Sequence, residues 1–208
     1  MKDHKYSGSD AGLAYIYFYN PLANKLVECL PKTIAPNTLT VLGFIHTLIP
    51  MALMFWTQGP EMYGPFDSWL CFVFAWCYFA YRMLDEMDGK QARRTQNSSA
   101  MGLVFDHGCD AFSIGMWGIM TAKMVSIGNN ALMYILIITL YACFHFATLE
   151  EYYIGTLRLP VCNGVSDGSI AMILLFIVTG IMGADVWTIS VGSGKWLHME
   201  GVEQITTG

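Results

Sequence analysis

The feature that most constrains this chain is a succession of apolar runs of membrane-crossing length. Residues 39–56, 69–84, 101–127, 131–149 and 170–191 are predominantly apolar, and no segment between them is long enough for a soluble domain. A hydrocarbon core about 30 Å thick takes about twenty helical residues to cross. Only a helix or a closed barrel satisfies its own backbone polar groups in that medium. Composition agrees, at 54% hydrophobic and 13% charged residues, against about 25% charged in ordinary globular domains. The expected fold class is all-α: a multi-pass transmembrane helical bundle of about five spans.

Before the first span, residues 13–30 carry apolar side chains at helical spacing, with Tyr15, Tyr17, Phe18 and Tyr19 clustered at one end. This predicts an amphipathic helix lying in the membrane interface. Pro36 and Asn37 mark the turn into the membrane. The chain therefore divides into an N-terminal region with the interfacial helix (1–37), a transmembrane unit (38–191) and a polar tail (192–208). Lys2, Lys5, Lys25 and Lys32 precede the first run, and Arg82, Lys90, Arg93 and Arg94 follow the second. Arg158 follows the fourth, whereas 57–68 has no basic residue. The basic ends should face the cytosol, with Lys123 and Lys195 as exceptions. A net charge of −5 leaves no basic footprint for nucleic acid. The six cysteines form no CxxC pair and read as isolated buried thiols. His46 and His145, inside apolar runs, read as interhelical hydrogen-bond partners.

The chemistry concentrates in residues 84–112, LDEMDGKQARRTQNSSAMGLVFDHGCDAF. Asp85 and Asp88 are three apart and share a helical face, as do Asp106 and Asp110, four apart. Gly102, one turn before Asp106, would let a helix or a nucleotide approach closely. Gly89 marks where the second span loosens. Two carboxylate pairs on adjacent helix ends repel each other unless cations neutralise them. Oxygen ligands without a His or Cys cluster suggest Mg²⁺, Mn²⁺ or Ca²⁺. A metal pair held by Asp suits phosphoryl transfer, and Arg93 and Arg94 would offer planar donors to phosphate oxygens. Solvated helix ends are the bland alternative for any single Asp. A cation transporter using intramembrane carboxylates is another, but it predicts them at mid-bilayer rather than at one edge.

The run Asp85-x2-Asp88-Gly89-x2-Ala92-Arg93-x8-Gly102-x3-Asp106-x3-Asp110 resembles the full signature of the CDP-alcohol phosphotransferase family. Ala35-Pro36-Asn37-x2-Thr40, DGKQARRT at 88–95, FDHGCDA at 105–111 and the segment from Glu150 to Leu157 resemble its eukaryotic choline/ethanolamine branch. The resemblance implies transfer of phosphocholine or phosphoethanolamine from CDP-choline or CDP-ethanolamine to diacylglycerol. It implies Mg²⁺ or Mn²⁺ held by Asp85, Asp88, Asp106 and Asp110. Asn37, Gly89, Ala92, Arg93 and Gly102 would contact the CDP moiety. The proton acceptor would be Asp110 or His107, the latter with an acid at Asp167. An imidazole titrates in the useful range, whereas a metal-bound carboxylate is a poor base. A second role for His107 is to hydrogen-bond an Asp ligand. The resemblance also implies a homodimer in endoplasmic reticulum or Golgi membranes, with the site facing the cytosol. The branch has about ten spans, so this chain reads as a C-terminally truncated member. One alternative is an inactive partner of a full-length enzyme; another is a family branch using CDP-diacylglycerol. Glu150, Glu151, Tyr152 and Tyr153 read as interfacial residues or as contacts for a choline ammonium.

Overall fold

The computed structural model describes residues 8–129 and 131–187. A π-helical turn, Tyr15–Tyr19, runs directly into α1, Asn20–Cys29. Four long helices follow: α2, Pro36–Gln58; α3, Ser68–Thr95; α4, Ala100–Met124; α5, Ala131–Ile154. The sixth, α6, spans Asp167–Met182, and a short 3-10 turn, Ala184–Trp187, closes the described chain. Each apolar run of the sequence thus contains helix, although 188–191 of the last run lie outside the described residues. Two helices, α2 and α5, are long and apolar enough to cross a membrane, and α6 is a shorter apolar helix of 16 residues.

Local chemistry sets the helix ends. Pro36 starts α2 at a position where its missing N–H costs nothing. The Ser99 hydroxyl accepts the Gly102 N–H at 3.0 Å and caps α4. Gln96 takes a left-handed conformation, φ 56°, that stops α3. One expectation is corrected here. Gly89 does not loosen the second run, because α3 continues as helix through it to Thr95. Side chains beyond Gly89 hold that extension: Lys90 donates to Asn20 Oδ1 at 2.6 Å, and Gln91 to the carbonyls of Pro31 and Ile34.

The second helix packs against both α3 and α4, α6 packs on α3, and α5 packs on α4. One core is aromatic and joins α3, α4 and α6. Phe74 meets Phe176 edge-on at 5.7 Å and Trp117 at 6.2 Å, and Tyr78 meets Trp117 at 4.8 Å. A second core sets Tyr19 and Ala23 against Leu39, Met83 and Met87. The stripe Tyr19, Ala23 and Val27 is therefore buried, while Leu13, Ile16, Tyr17, Phe18 and Leu26 of the same stretch are exposed. Most apolar side chains of α5, including Ile135, Ile138 and Phe146, face outward.

Two features have no counterpart in the sequence reading. Strands β1, Gly8–Asp10, and β2, Leu157–Leu159, pair in parallel, Gly8 opposite Leu157. Asp10 accepts from Gly12 N–H and Asn163 Nδ2, each at 2.7 Å, and from the Ser166 hydroxyl. A Cβ on Gly12 would lie 2.7 Å from Asn163 Nδ2 and 2.8 Å from Asp167 Oδ2, so any side chain there would push these hydrogen-bonded groups aside. At the opposite end, the buried Lys123 ammonium donates to the carbonyls of Gln58, Gly59 and Glu61. It closes the C-terminal end of α2, where helix carbonyls lack partners and attract a cation. Lys123 broke the charge asymmetry because it is a cap.

Two minor expectations are revised. Cys71 and Cys77 are buried thiols, but Cys29, Cys143 and Cys162 are exposed. His46 Nδ1 lies 2.7 Å from the Leu42 carbonyl of its own helix rather than bonding across helices.

Candidate active site

Asp85 and Asp88 project from the same face of α3, and Asp106 projects from α4. Each offers one carboxylate oxygen, and the three oxygens lie within 4.8 Å of one another. Since α2 packs on both α3 and α4, it fixes the spacing between the helices that carry them. It also reaches the group directly: the Thr40 hydroxyl donates to Asp88 Oδ2. Asp110, one turn further along α4, stands outside this group of three. Its Oδ1 accepts the Tyr81 hydroxyl at 2.6 Å. Arg82 Nη1 pairs with Asp85 Oδ2 and stacks 5.8 Å from the Tyr19 ring.

The electrostatics are undercompensated. Asp85 and Asp88 lie just past the apolar run 69–84. Burial holds both carboxyls well above the ordinary carboxylate range. The Asp110 charge raises Asp85 further, and the Asp85 charge raises Asp88. Arg82 and the Thr40 hydroxyl offset this only in part. Asp106 Oδ1 is buried with no hydrogen-bond partner among the described residues. Leaving a buried charged oxygen unpaired is costly. Three close carboxylates, one with an unused oxygen, fit a hard divalent cation bound through oxygen.

The remaining predicted residues divide. Asn37 and Gly102 come together: a Cβ on Gly102 would lie 3.5 Å from Asn37 Oδ1 and 3.2 Å from Ser99 Oγ. Gly89 and Arg93 do likewise, with Arg93 Nη1 at 3.4 Å from where a Gly89 Cβ would be. Ala92 is partly buried and Arg93 exposed, so that guanidinium stands over the α3 end. Arg94 is spent elsewhere. Its Nη1 donates to the carbonyls of Val27 at 2.6 Å and Leu30 at 2.8 Å, and its Nη2 to Glu28 at 3.3 Å. It caps α1 instead of offering donors to phosphate. Asp167 is also outside the carboxylate group. Its two oxygens accept the Ala14 N–H at 2.8 Å and the Asn163 N–H at 3.1 Å. It is the first residue of α6, and its carboxylate ties the N-terminal segment to that helix start. His107 turns toward α5: Nε2 lies 3.8 Å from Glu151 Oε2, and the ring meets Phe144 edge-on at 6.3 Å.

The sequence reading missed Thr40, Tyr81 and Arg82 as site residues. A signal existed for the latter two. Tyr81 lies four residues before Asp85, and Arg82 three before it, so both share the carboxylate face of α3. Thr40 stands in the motif that begins at Ala35, but its contact with Asp88 is between helices and gave no local signal.

The sequence model of the CDP-alcohol phosphatidyltransferase family matches residues 33–197 of this chain. Choline/ethanolaminephosphotransferase 2 of Arabidopsis thaliana is 35% identical over 187 residues, covering 90% of this chain and 47% of that protein. Cholinephosphotransferase 1 of Danio rerio is 34% identical over 197 residues, covering 92% of this chain and 50% of that protein. The chain spans about half the length of the curated relatives it matches.

Proposed function

Because the chain belongs to the CDP-alcohol phosphatidyltransferase family, we propose that it transfers phosphocholine or phosphoethanolamine from the CDP-alcohol to diacylglycerol. The diacylglycerol hydroxyl attacks the phosphorus that bears the alcohol, the P–O bond to CMP breaks, and phosphatidylcholine or phosphatidylethanolamine forms. The observation that carries this reading is the convergence of Asp85, Asp88 and Asp106 within 4.8 Å at one end of the bundle. The names of the relatives supply the alcohol.

Asp85, Asp88 and Asp106 would hold Mg²⁺ or Mn²⁺, with Asp110 completing the site from the next turn. A cation held there would supply charge neutralisation at the diphosphate and the leaving oxygen. Arg93, exposed and standing over Gly89, would meet phosphate oxygens in planar pairs. The Asn37–Gly102 contact makes a floor without side-chain bulk where α2 meets α4, suited to the cytidine side of the substrate. Ala92 keeps the neighbouring wall small. His107, next to Asp106, is the better acceptor for the diacylglycerol proton. Asp110 already accepts from Tyr81, which weakens it as a base. Asp167 enters as the anchor of the α5–α6 connection, not as an acid.

In this reading the bundle sits in an endoplasmic reticulum or Golgi membrane as a homodimer, with the carboxylates at the cytosolic edge. Three of the described basic residues that predict this orientation lie near the N-terminal region. Lys90 and Arg94 of α3 touch the α1 region, and Arg158 lies in β2 opposite Ser9.

The test is product formation by the chain in lipid with Mg²⁺ or Mn²⁺, diacylglycerol and labelled CDP-choline or CDP-ethanolamine, beside Asp106→Asn. Labelled phospholipid from the wild type alone supports the reading and names the head group. Turnover only with CDP-diacylglycerol would move it to another branch of the family. Neither product nor metal-dependent CDP-alcohol binding would overturn it.

A further inference from the structure

The α4–α5 seam holds a carboxylate that the proposed reaction does not use. Glu151 sits near the end of α5, with its side chain only 11% exposed. Its Oε2 is buried and has no hydrogen-bond partner among the described residues. The imidazole of His107 faces it, Nε2 at 3.8 Å, and Phe144, two turns back on the same face of α5, meets the edge of that ring. The seam approaches closely elsewhere as well. Gly115 and Gly118 of α4 lie under Tyr141 and Leu140 of α5, where a Cβ would crowd those side chains. The two helices are thus held at a spacing that confines the imidazole between Phe144 and Glu151.

We propose that Glu151 is a positioning residue for His107: its carboxylate accepts the Nε2 proton and fixes the ring with Nδ1 as the accepting nitrogen. The inference rests on the phosphotransferase reading for its consequence but not for its geometry. A buried carboxylate oxygen without a donor is expensive, and the ring N–H nearest to it is that of His107. A gap of 3.8 Å closes with a small ring rotation, and such contacts tighten when substrate is bound. A neutral imidazole that donates from one nitrogen accepts at the other. Orienting a base through a carboxylate behind it is a general way to hold the reacting nitrogen toward its proton. Glu151 is not among the three clustered carboxylates, and the group that faces it is His107, so its effect on turnover runs through that ring.

The test has two independent readouts. In lipid-reconstituted protein labelled with ¹⁵N-histidine, the ring signal absent from His107→Gln identifies His107 among the five histidines. The wild type should show that ring protonated at Nε2, and Glu151→Ala should shift it toward a mixture of tautomers. Identical spectra would overturn the proposal. In turnover, Glu151→Ala should lower kcat on the order of tenfold and leave KM for the CDP-alcohol unchanged. Glu151→Gln, which keeps an acceptor oxygen, should recover most of it. In a His107→Gln background, Glu151→Ala should cost nothing more. An equal cost in both backgrounds would overturn the proposal, as would a raised KM with kcat intact, which would put Glu151 on the substrate cation. If the wild type neither makes lipid nor binds CDP-alcohol with metal, the phosphotransferase reading fails by itself, and the spectra still decide the contact.

Discussion

Replacing Arg94 with methionine keeps most of the side chain's apolar stem and removes its guanidinium. In the structure that group donates to three carbonyls at the end of α1, those of Val27, Leu30 and Glu28, at 2.6, 2.8 and 3.3 Å. A net hydrogen bond is worth about 0.5–1.5 kcal/mol, with charged donors toward the upper end. The two short bonds count nearly in full. The long one, at the exposed edge, counts little, because water replaces it. A cation at a helix C-terminus adds a few tenths of a kcal/mol through the helix dipole. The sum is about 3 kcal/mol, roughly a 150-fold rise in the opening equilibrium of α1. Amide hydrogen exchange over Asn20–Cys29 should read this as a loss of protection of that size. Exchange across α5, which Arg94 does not touch, should not change. CDP-alcohol binding should fall little, because Arg93, exposed over Gly89, rather than Arg94 is the proposed phosphate contact. Unchanged protection of α1 with binding lost would refute the reasoning and return Arg94 to the phosphate.

Three further outcomes are expected. Phe176→Ala, which empties the fully buried centre of the aromatic core, should cost about 3–5 kcal/mol; an unchanged thermal midpoint in detergent would argue against that core. Mn²⁺ should raise the midpoint of the wild type by mass action and leave that of Asp106→Asn flat, and equal responses would mean the cation binds elsewhere. Gly12→Ala should open the clamp between Asp10, Asn163 and Asp167, where the added Cβ meets atoms at 2.7–2.9 Å. Proteolysis within residues 155–166 should then quicken, and unchanged cleavage would show that the segment is held by other means.

What the sequence determined by itself is local. Apolar runs of helical length placed α2 to α6, because backbone satisfaction in an apolar setting leaves the helix as the economical choice. Spacings of three and four put Asp85 with Asp88 and Asp106 with Asp110, because helical periodicity is a property of neighbours along the chain. The family signature and its implied chemistry were legible for the same reason. The tertiary structure decided everything that depends on how helices rotate against one another and on which distant groups meet. It set His107 Nε2 3.8 Å from Glu151 across the α4–α5 seam. It spent Arg94 on α1, Lys123 on α2 and Asp167 on the amides of Ala14 and Asn163. It paired Gly8–Asp10 with Leu157–Leu159 across some 150 residues. Arg94, Lys123 and Asp167 each satisfy a backbone partner far away in sequence. A lone charged residue in a sequence does not reveal whether its partner is a substrate or an orphan carbonyl, since both present the same unsatisfied oxygen.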